Sequence, residues 1–254
     1  MNNKHLSVLA GTVVALSASL AQASTVELSN MVAQWYGGVP AANVSYFNNA
    51  STTPQARWGV GAVQSGYDFD IAAQPIDFTV PPSPSPNMVL GTFTHLNFPI
   101  SAGTSITSIN LKITTDVIVD GTNLGSRVFD YGFNHWETPN ADVPCANGGA
   151  NGVGVNINGC ADRVIANWLP ASEDFLVGTD IYTLNVKGFS LDINGTNPFT
   201  SFWTAENQSN NAYLIANVAL LRDVNPAPEP GTPLLLGAGL IALASAWRAK
   251  AKKG

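Results

Sequence analysis

The sequence predicts an all-β protein: an antiparallel β-sandwich or jelly-roll-like domain over residues 24–225, preceded by an N-terminal signal peptide and followed by a single hydrophobic C-terminal helix. Three observations predict it. Apolar residues in the interior of the chain recur with period two, and no amphipathic 3.6-residue period stands out. Turn-forming residues punctuate these runs, with 23 Gly and 16 Pro in 254 residues. Charged residues make up only 11%, well under the ~25% of an average soluble protein. A single β domain of ~200 residues absorbs this length without a second core and can bury ~70% of its surface.

The first 23 residues have the three parts of a secretory signal: Lys4, an uncharged and mostly apolar run from Leu6 to Leu20, and the small-x-small cleavage site Ala21-Gln22-Ala23. The mature chain is expected to start at Ser24. Ile109, Leu111, Ile113, Thr115, Val117 and Val119 then alternate with more polar neighbours, and Asp120-Gly121 predicts a turn. Tyr182, Leu184 and Val186 fall on even positions, whereas Phe189, Leu191 and Ile193 fall on odd ones. The slip predicts a β-bulge at Lys187-Gly188. Asn194-Gly195 reads as a hairpin turn from which Phe199 to Ala205 returns. Tyr213 to Leu221 is apolar on both faces, as in a central strand. The proline-rich segment 81–86 is too short for a domain linker and reads as a stiff loop within one domain.

Charge excludes one class of function. Between Ser24 and Ala227 six Lys/Arg stand against sixteen Asp/Glu, which leaves no basic groove for nucleic acid. Export also gives the two cysteines a role. Cys145 and Cys160 bracket a Gly/Asn-rich loop in an oxidising compartment, so a disulfide is expected, with a catalytic thiol as the sharper alternative.

Once the signal is removed, His95 and His135 are the only histidines. In extended chain Phe93, His95 and Asn97 share one face of the segment Gly91 to Ile100, and Thr94, Leu96 and Phe98 share the other. His135 and Glu137 have the same spacing in the segment Phe129 to Asn140. These pairs can assemble a metal or glycan site, or they can brace the domain as a buried polar network. Asp68 and Asp70 lie on one strand face, and a carbohydrate-active enzyme would need paired acids in a cleft, drawn from Asp68, Asp130 or Glu137. Asp192, Asn194 and Asn197 offer oxygens to calcium, the one cofactor worth weighing. However, Gly195 comes too early for an EF-hand loop and no glutamate closes it, so a turn is the expected role. No nucleophile elbow, metalloprotease helix or phosphate loop is present. Trp35, Tyr36, Trp58, Trp136, Trp168 and Trp203 either fill the core or stack on sugar rings from the surface.

The C-terminus carries an address. Asn225 to Pro233 is proline-rich and extended, an uncharged apolar stretch runs from Pro233 to Trp247, and Arg248, Lys250, Lys252 and Lys253 close the chain. As a helix that stretch spans ~22 Å, short of a ~30 Å hydrocarbon core, and Trp247 with the flanking cations extends its reach at the cytoplasmic face. The order of Pro228-Glu229-Pro230, short hydrophobic helix and basic end resembles the PEP-CTERM sorting signal of Gram-negative bacteria, here over residues 226–254. The resemblance implies an exosortase as partner during export. It also implies transient anchoring in the inner membrane and delivery to the cell surface or extracellular matrix, commonly alongside exopolysaccharide. The segments Arg57-Trp58-Gly59, Ser65 to Phe69, Gly91 to Ile100 and Glu137 to Asn140, with Cys145 beyond, resemble the THxN family of PEP-CTERM proteins, whose naming motif falls on Thr94, His95, Leu96 and Asn97. That resemblance implies a module acting outside the cell and carries over no catalytic residue. The function expected is a non-catalytic surface or matrix protein associated with exopolysaccharide or another surface component. The alternatives are a secreted carbohydrate-active enzyme and a self-associating structural spacer.

Overall fold

A computed structural model describes residues 23–81, 83–168 and 173–223. The expected sorting tail, and all but the last residue of the expected signal peptide, lie outside the described residues, as does the side chain of Trp168. In chain order the strands are β1 (Ser24–Val39), β2 (Val44–Phe47), β3 (Gln55–Trp58), β4 (Ser65–Ile71), β5 (Ile76–Val80), β6 (Met88–Asn97) and β7 (Ser108–Val119). They continue as β8 (Thr122–Trp136), β9 (Asp162–Trp168), β10 (Phe175–Val177), β11 (Asp180–Ser190), β12 (Ser201–Thr204) and β13 (Gln208–Asp223). The described helices are two single 3-10 turns, Ala41–Asn43 and Gly154–Asn156.

The strands form two antiparallel sheets. One has the order β12-β9-β8-β7-β1-β5, the other β10-β11-β13-β6-β4-β3-β2. Their apolar faces meet in one aromatic core. Trp35 of the first sheet lies 5.7 Å from Tyr67 and 6.2 Å from Phe93 of the second, and Phe133 stacks on Phe93 at 5.3 Å. All four side chains are buried, and each contributes the large apolar area that aromatic rings bring to a core.

Alternation puts the residues there. Along β7 the odd positions from Ile109 to Val119 are buried and the even ones half-buried. Asp120 and Gly121 both take positive φ and close a two-residue hairpin between Val119 and Thr122, as a right-twisted β-hairpin requires. The register between β11 and β13 slips between Val186 and Gly188, so Lys187 is the extra residue of a bulge. β13 lies between β11 and β6 and buries both faces from Leu214 to Val218. Ser85, inside the proline-rich loop, is buried; its amide donates to the Val218 carbonyl and its Oγ accepts from the Val218 amide.

Two expectations need correction. Leu191 and Ile193 do not continue β11; both are exposed, at 74% and 58%. Asp192 ends the strand by accepting the Asn194 amide (3.0 Å) and the Thr196 hydroxyl, a side-chain turn that competes with ladder pairing. Nor does Phe199 to Ala205 return along β11 as a hairpin partner. Phe199 makes a single bridge to Phe189, and the chain then crosses to the first sheet, where β12 pairs with β9. That crossing positions half of the site described next.

Candidate functional site

At one end of the sandwich the core changes from aromatic to polar. On β6, Phe93, His95 and Asn97 face inward and are buried, whereas Thr94 and Leu96 take the other face. β8 ends with His135 inward and Trp136 outward, and Glu137 follows directly. Asp162 opens β9, Thr204 closes β12, and Glu206 lies in the link to β13; all three have no exposed surface. One donor atom from each of His95, His135 and Asp162 lies within 4.8 Å of the others, and the same holds for Glu137, Asp162 and Glu206.

The hydrogen bonds assign the protons. Thr204 Oγ1 donates its single proton to the Asp162 carbonyl (3.1 Å), so it accepts from His95 Nδ1 (2.8 Å). The His95 proton is therefore on Nδ1, and the bare Nε2 is buried with no hydrogen-bond partner. Burial first, and the facing His135 second, push the His95 pKa well below its ordinary value and keep the ring neutral. Tyr67 Oη lies 2.8 Å from His135 Nδ1, and His135 Nε2 lies 3.4 Å from Glu137 Oε2. The Tyr67 phenol is held protonated by burial and, secondarily, by the charges of Asp162 and Glu137. Trp58 packs its ring against both imidazoles, 6.0 Å from His95 and 5.2 Å from His135.

Three carboxyls share this space. Asp162 Oδ1 accepts the Thr138 amide at 2.7 Å, while Oδ2 has no partner. Burial, then the charge of Glu137 and that of Glu206, push the Asp162 pKa up against the Thr138 bonds. Burial and Glu137 raise Glu206 to about 7, opposed by the side chains of Asn140 and Asn97. Among the described residues no lysine or arginine pairs with any of the three. Glu137 is half-buried and, with Ser105, Thr138 and Asn140, lines an open cleft of about 470 Å3.

The structure thus brings together His95, Asn97, His135 and Glu137 and leaves out Thr94. It also separates the acids proposed for sugar cleavage. Asp68 pairs with Arg57 on the outer face of the second sheet, and Asp70 shares that face. Asp130 accepts the Tyr36 hydroxyl on the outer face of the first sheet. Asp192, Asn194 and Thr196 are tied to one another in the turn already described. Sequence reading missed Asp162, Thr204, Glu206 and Tyr67. A signal existed for two of them, an acid directly after an alanine in a chain poor in charge, at Ala161-Asp162 and Ala205-Glu206.

Cys145 and Cys160 form the disulfide, 15 residues apart. It closes beside the site: Cys160 N donates to the Asn140 carbonyl, and Asn158 Nδ2 donates to the Glu206 carbonyl. Within the loop Asn147 and Asn156 exchange side-chain bonds of 2.9 and 3.0 Å. Replacing both cysteines by serine is expected to cost ~3 kcal/mol by releasing loop-closure entropy to the unfolded chain. Urea titration of the variant against the oxidised protein measures this, and an unchanged midpoint would mean the loop's hydrogen bonds, the Asn147–Asn156 pair among them, hold it without the disulfide.

The six aromatic candidates divide. Trp35 and Trp58 are core. On the outer face of the first sheet, the register aligns Trp136 of β8, Arg163 of β9 and Trp203 of β12 in one row. The two indoles approach to 5.8 Å, Arg163 lies over Trp203 at 5.6 Å, and Trp136 is 47% exposed. Tyr36 lies on the same outer face, with Lys112 over its ring at 5.1 Å.

An acidic, disulfide-closed antiparallel β domain is the kind of protein suited to an oxidising space outside the cytoplasm. Residues 226–250 match the PEP-CTERM protein-sorting motif. The motif implies export through exosortase-mediated sorting, with the chain held at a membrane before release to the cell surface. A comparison with curated proteins finds no match.

Proposed function

We propose that this is a non-catalytic cell-surface or matrix protein of the THxN type that holds exopolysaccharide through its outer aromatic row. The observation that carries the reading is the Trp136–Arg163–Trp203 row. Flat apolar rings backed by a guanidinium stack on sugar rings and bond their hydroxyls, and the row lies on a sheet face away from the buried acids. Asp162 and Glu206 have no exposed surface, so a sugar bound at the surface does not touch them. The THxN assignment is supported by the way Trp58, Tyr67, His95, Asn97, Glu137 and Asn140, drawn from the separate segments of that resemblance, converge on one cluster.

Co-sedimentation of the disulfide-intact protein with the host exopolysaccharide tests this. Saturable pelleting is expected, and Trp136→Ala or Trp203→Ala is expected to weaken it about tenfold, the ~1.4 kcal/mol of one stacking face. Pelleting unchanged by both substitutions would remove the row from the proposal. Absent pelleting with concentration-dependent self-association would favour a spacer, and release of reducing ends would favour an enzyme.

A further inference from the structure

We propose that the buried cluster is a binding site for one divalent transition-metal ion of the zinc class, held by His95, His135 and Asp162 and completed by Glu137 or Glu206. The argument starts from what is left unpaired. A structural network satisfies its buried polar atoms, yet His95 Nε2 and Asp162 Oδ2 have no partner, and neither has Asn97 Oδ1. With Asp162 ionised all three are lone-pair acceptors, and acceptors cannot satisfy one another. Donor atoms of His95 and Asp162 lie within 4.8 Å of each other and of His135, the span that ligands around a single cation occupy.

The surroundings are those of ligands rather than of a salt-bridge network. Thr204 fixes His95 as the Nδ1–H tautomer and frees Nε2. Tyr67 occupies His135 Nδ1 and leaves Nε2 on the side of Glu137. The Thr138 amide holds one oxygen of Asp162 and leaves the other free. His95 and Asp162 thus each have one atom tied and one presented, as outer-shell partners leave ligands around a metal, and His135 Nε2 faces Glu137, itself a candidate ligand. Three clustered carboxyls with no lysine or arginine paired to them among the described residues supply, when ionised, the negative charge that a dication neutralises.

Two imidazoles with carboxylates form a mixed N/O set, which suits zinc, cobalt, manganese or nickel; calcium and magnesium prefer all-oxygen sites. The ligands come from both sheets, His95 from the second and His135 and Asp162 from the first, with Glu206 in the link that crosses from β12 to β13. A bound ion cross-links the end of the sandwich, and Glu137 on the cleft wall marks the way in. The rival occupant is a proton held on Asp162 Oδ2 alone, with His95 Nε2 left bare.

Metal uptake by the full chain, purified with its disulfide intact and stripped by a chelator, separates the two. With zinc or cobalt chloride the folded protein is expected to retain about one ion per chain after gel filtration. Its thermal midpoint is expected to rise by roughly 5–10 °C at free ion about a hundredfold above Kd. The cobalt form should absorb in the visible, and equal calcium should neither displace the ion nor raise the midpoint. His95→Gln and Asp162→Asn should each weaken uptake at least tenfold, while Asp192→Asn in the exposed turn should not. Because the buried variants could unfold, circular dichroism accompanies them and the wild-type titration stands alone as a test. A folded, stripped wild-type chain that takes up neither zinc nor cobalt overturns the proposal in favour of a protonated Asp162. Wild-type uptake by folded His95→Gln, or displacement by calcium, overturns the ligand set.

Discussion

Trp35→Ala is expected to destabilise the oxidised protein by ~3–5 kcal/mol, the cost of emptying a large aromatic site in a core that collapses only partly. That is a large share of the ~5–15 kcal/mol by which a domain is normally stable. Trp35 is wholly buried and lies against Tyr67, Phe93 and Phe133, so it joins the two sheets. Its Nε1 also donates to the Pro54 carbonyl at 3.1 Å, which the truncation leaves without that donor. Trp35→Phe separates the two contributions. It keeps most of the apolar contact and removes the donor, for an expected ~1–3 kcal/mol. Urea unfolding with an unchanged m-value measures both, and a cost under ~2 kcal/mol for alanine would mean that the neighbouring rings close over the gap.

Trp35 also shows where the sequence was hard to read. β1 is an alternating strand, but its phase reverses: Val26 and Leu28 are buried on even positions, and Met31, Ala33 and Trp35 on odd ones. The reversal comes at Asn30, with φ of +51, inside a register shift against β7. A period-two search sees two fragments there, whereas β7 has no bulge in its inward run and is legible end to end. The same logic explains Leu191 and Ile193. Their alternation continues that of β11 in sequence, but Asp192 satisfies the local amides itself and the ladder stops.

The candidate site was legible by halves for a related reason. His95 with Asn97, and His135 with Glu137, are neighbours within one extended segment, so spacing alone places each pair together. Asp162 and Glu206 reach them through tertiary events. The β8–β9 pairing sets Arg163 opposite Trp136 and so brings Asp162 beside Glu137 and Thr138. The crossing after Phe199 carries Thr204 to His95 and Glu206 to Asn140. No local period encodes either step. The tryptophans divide likewise: strand parity separates Trp35 from Tyr36, but which parity faces the core depends on the partner sheet.

The crossing hinges on a glycine, and it yields the second large effect: Gly188→Ala is expected to cost ~3 kcal/mol or more. Gly188 has φ of +110, and a Cβ there would stand 2.3 Å from the Phe199 carbonyl oxygen, a backbone atom that cannot swing aside as a side chain would. That carbonyl is committed, accepting the Phe189 amide at 2.8 Å, while the next carbonyl, Thr200, accepts the Ala166 amide of the first sheet. The chain is therefore pinned to one sheet at Phe199 and to the other at Thr200, directly before β12. Relieving the clash breaks one pin and loosens the path to Thr204 and Glu206. Gly178→Ala is the control. Its φ is +61 with open space around the Cβ position, so it carries only the left-handed backbone cost of ~1–2 kcal/mol. At ~2–4 °C per kcal/mol for a domain of this size, thermal unfolding resolves the pair. Equal shifts would show that the crossing yields to a methyl group and does not hold the Thr204–Glu206 half of the site in place. A larger shift at Gly188, accompanied by weakened zinc uptake in the folded variant, would tie the bulge in β11 to the cluster across the sandwich.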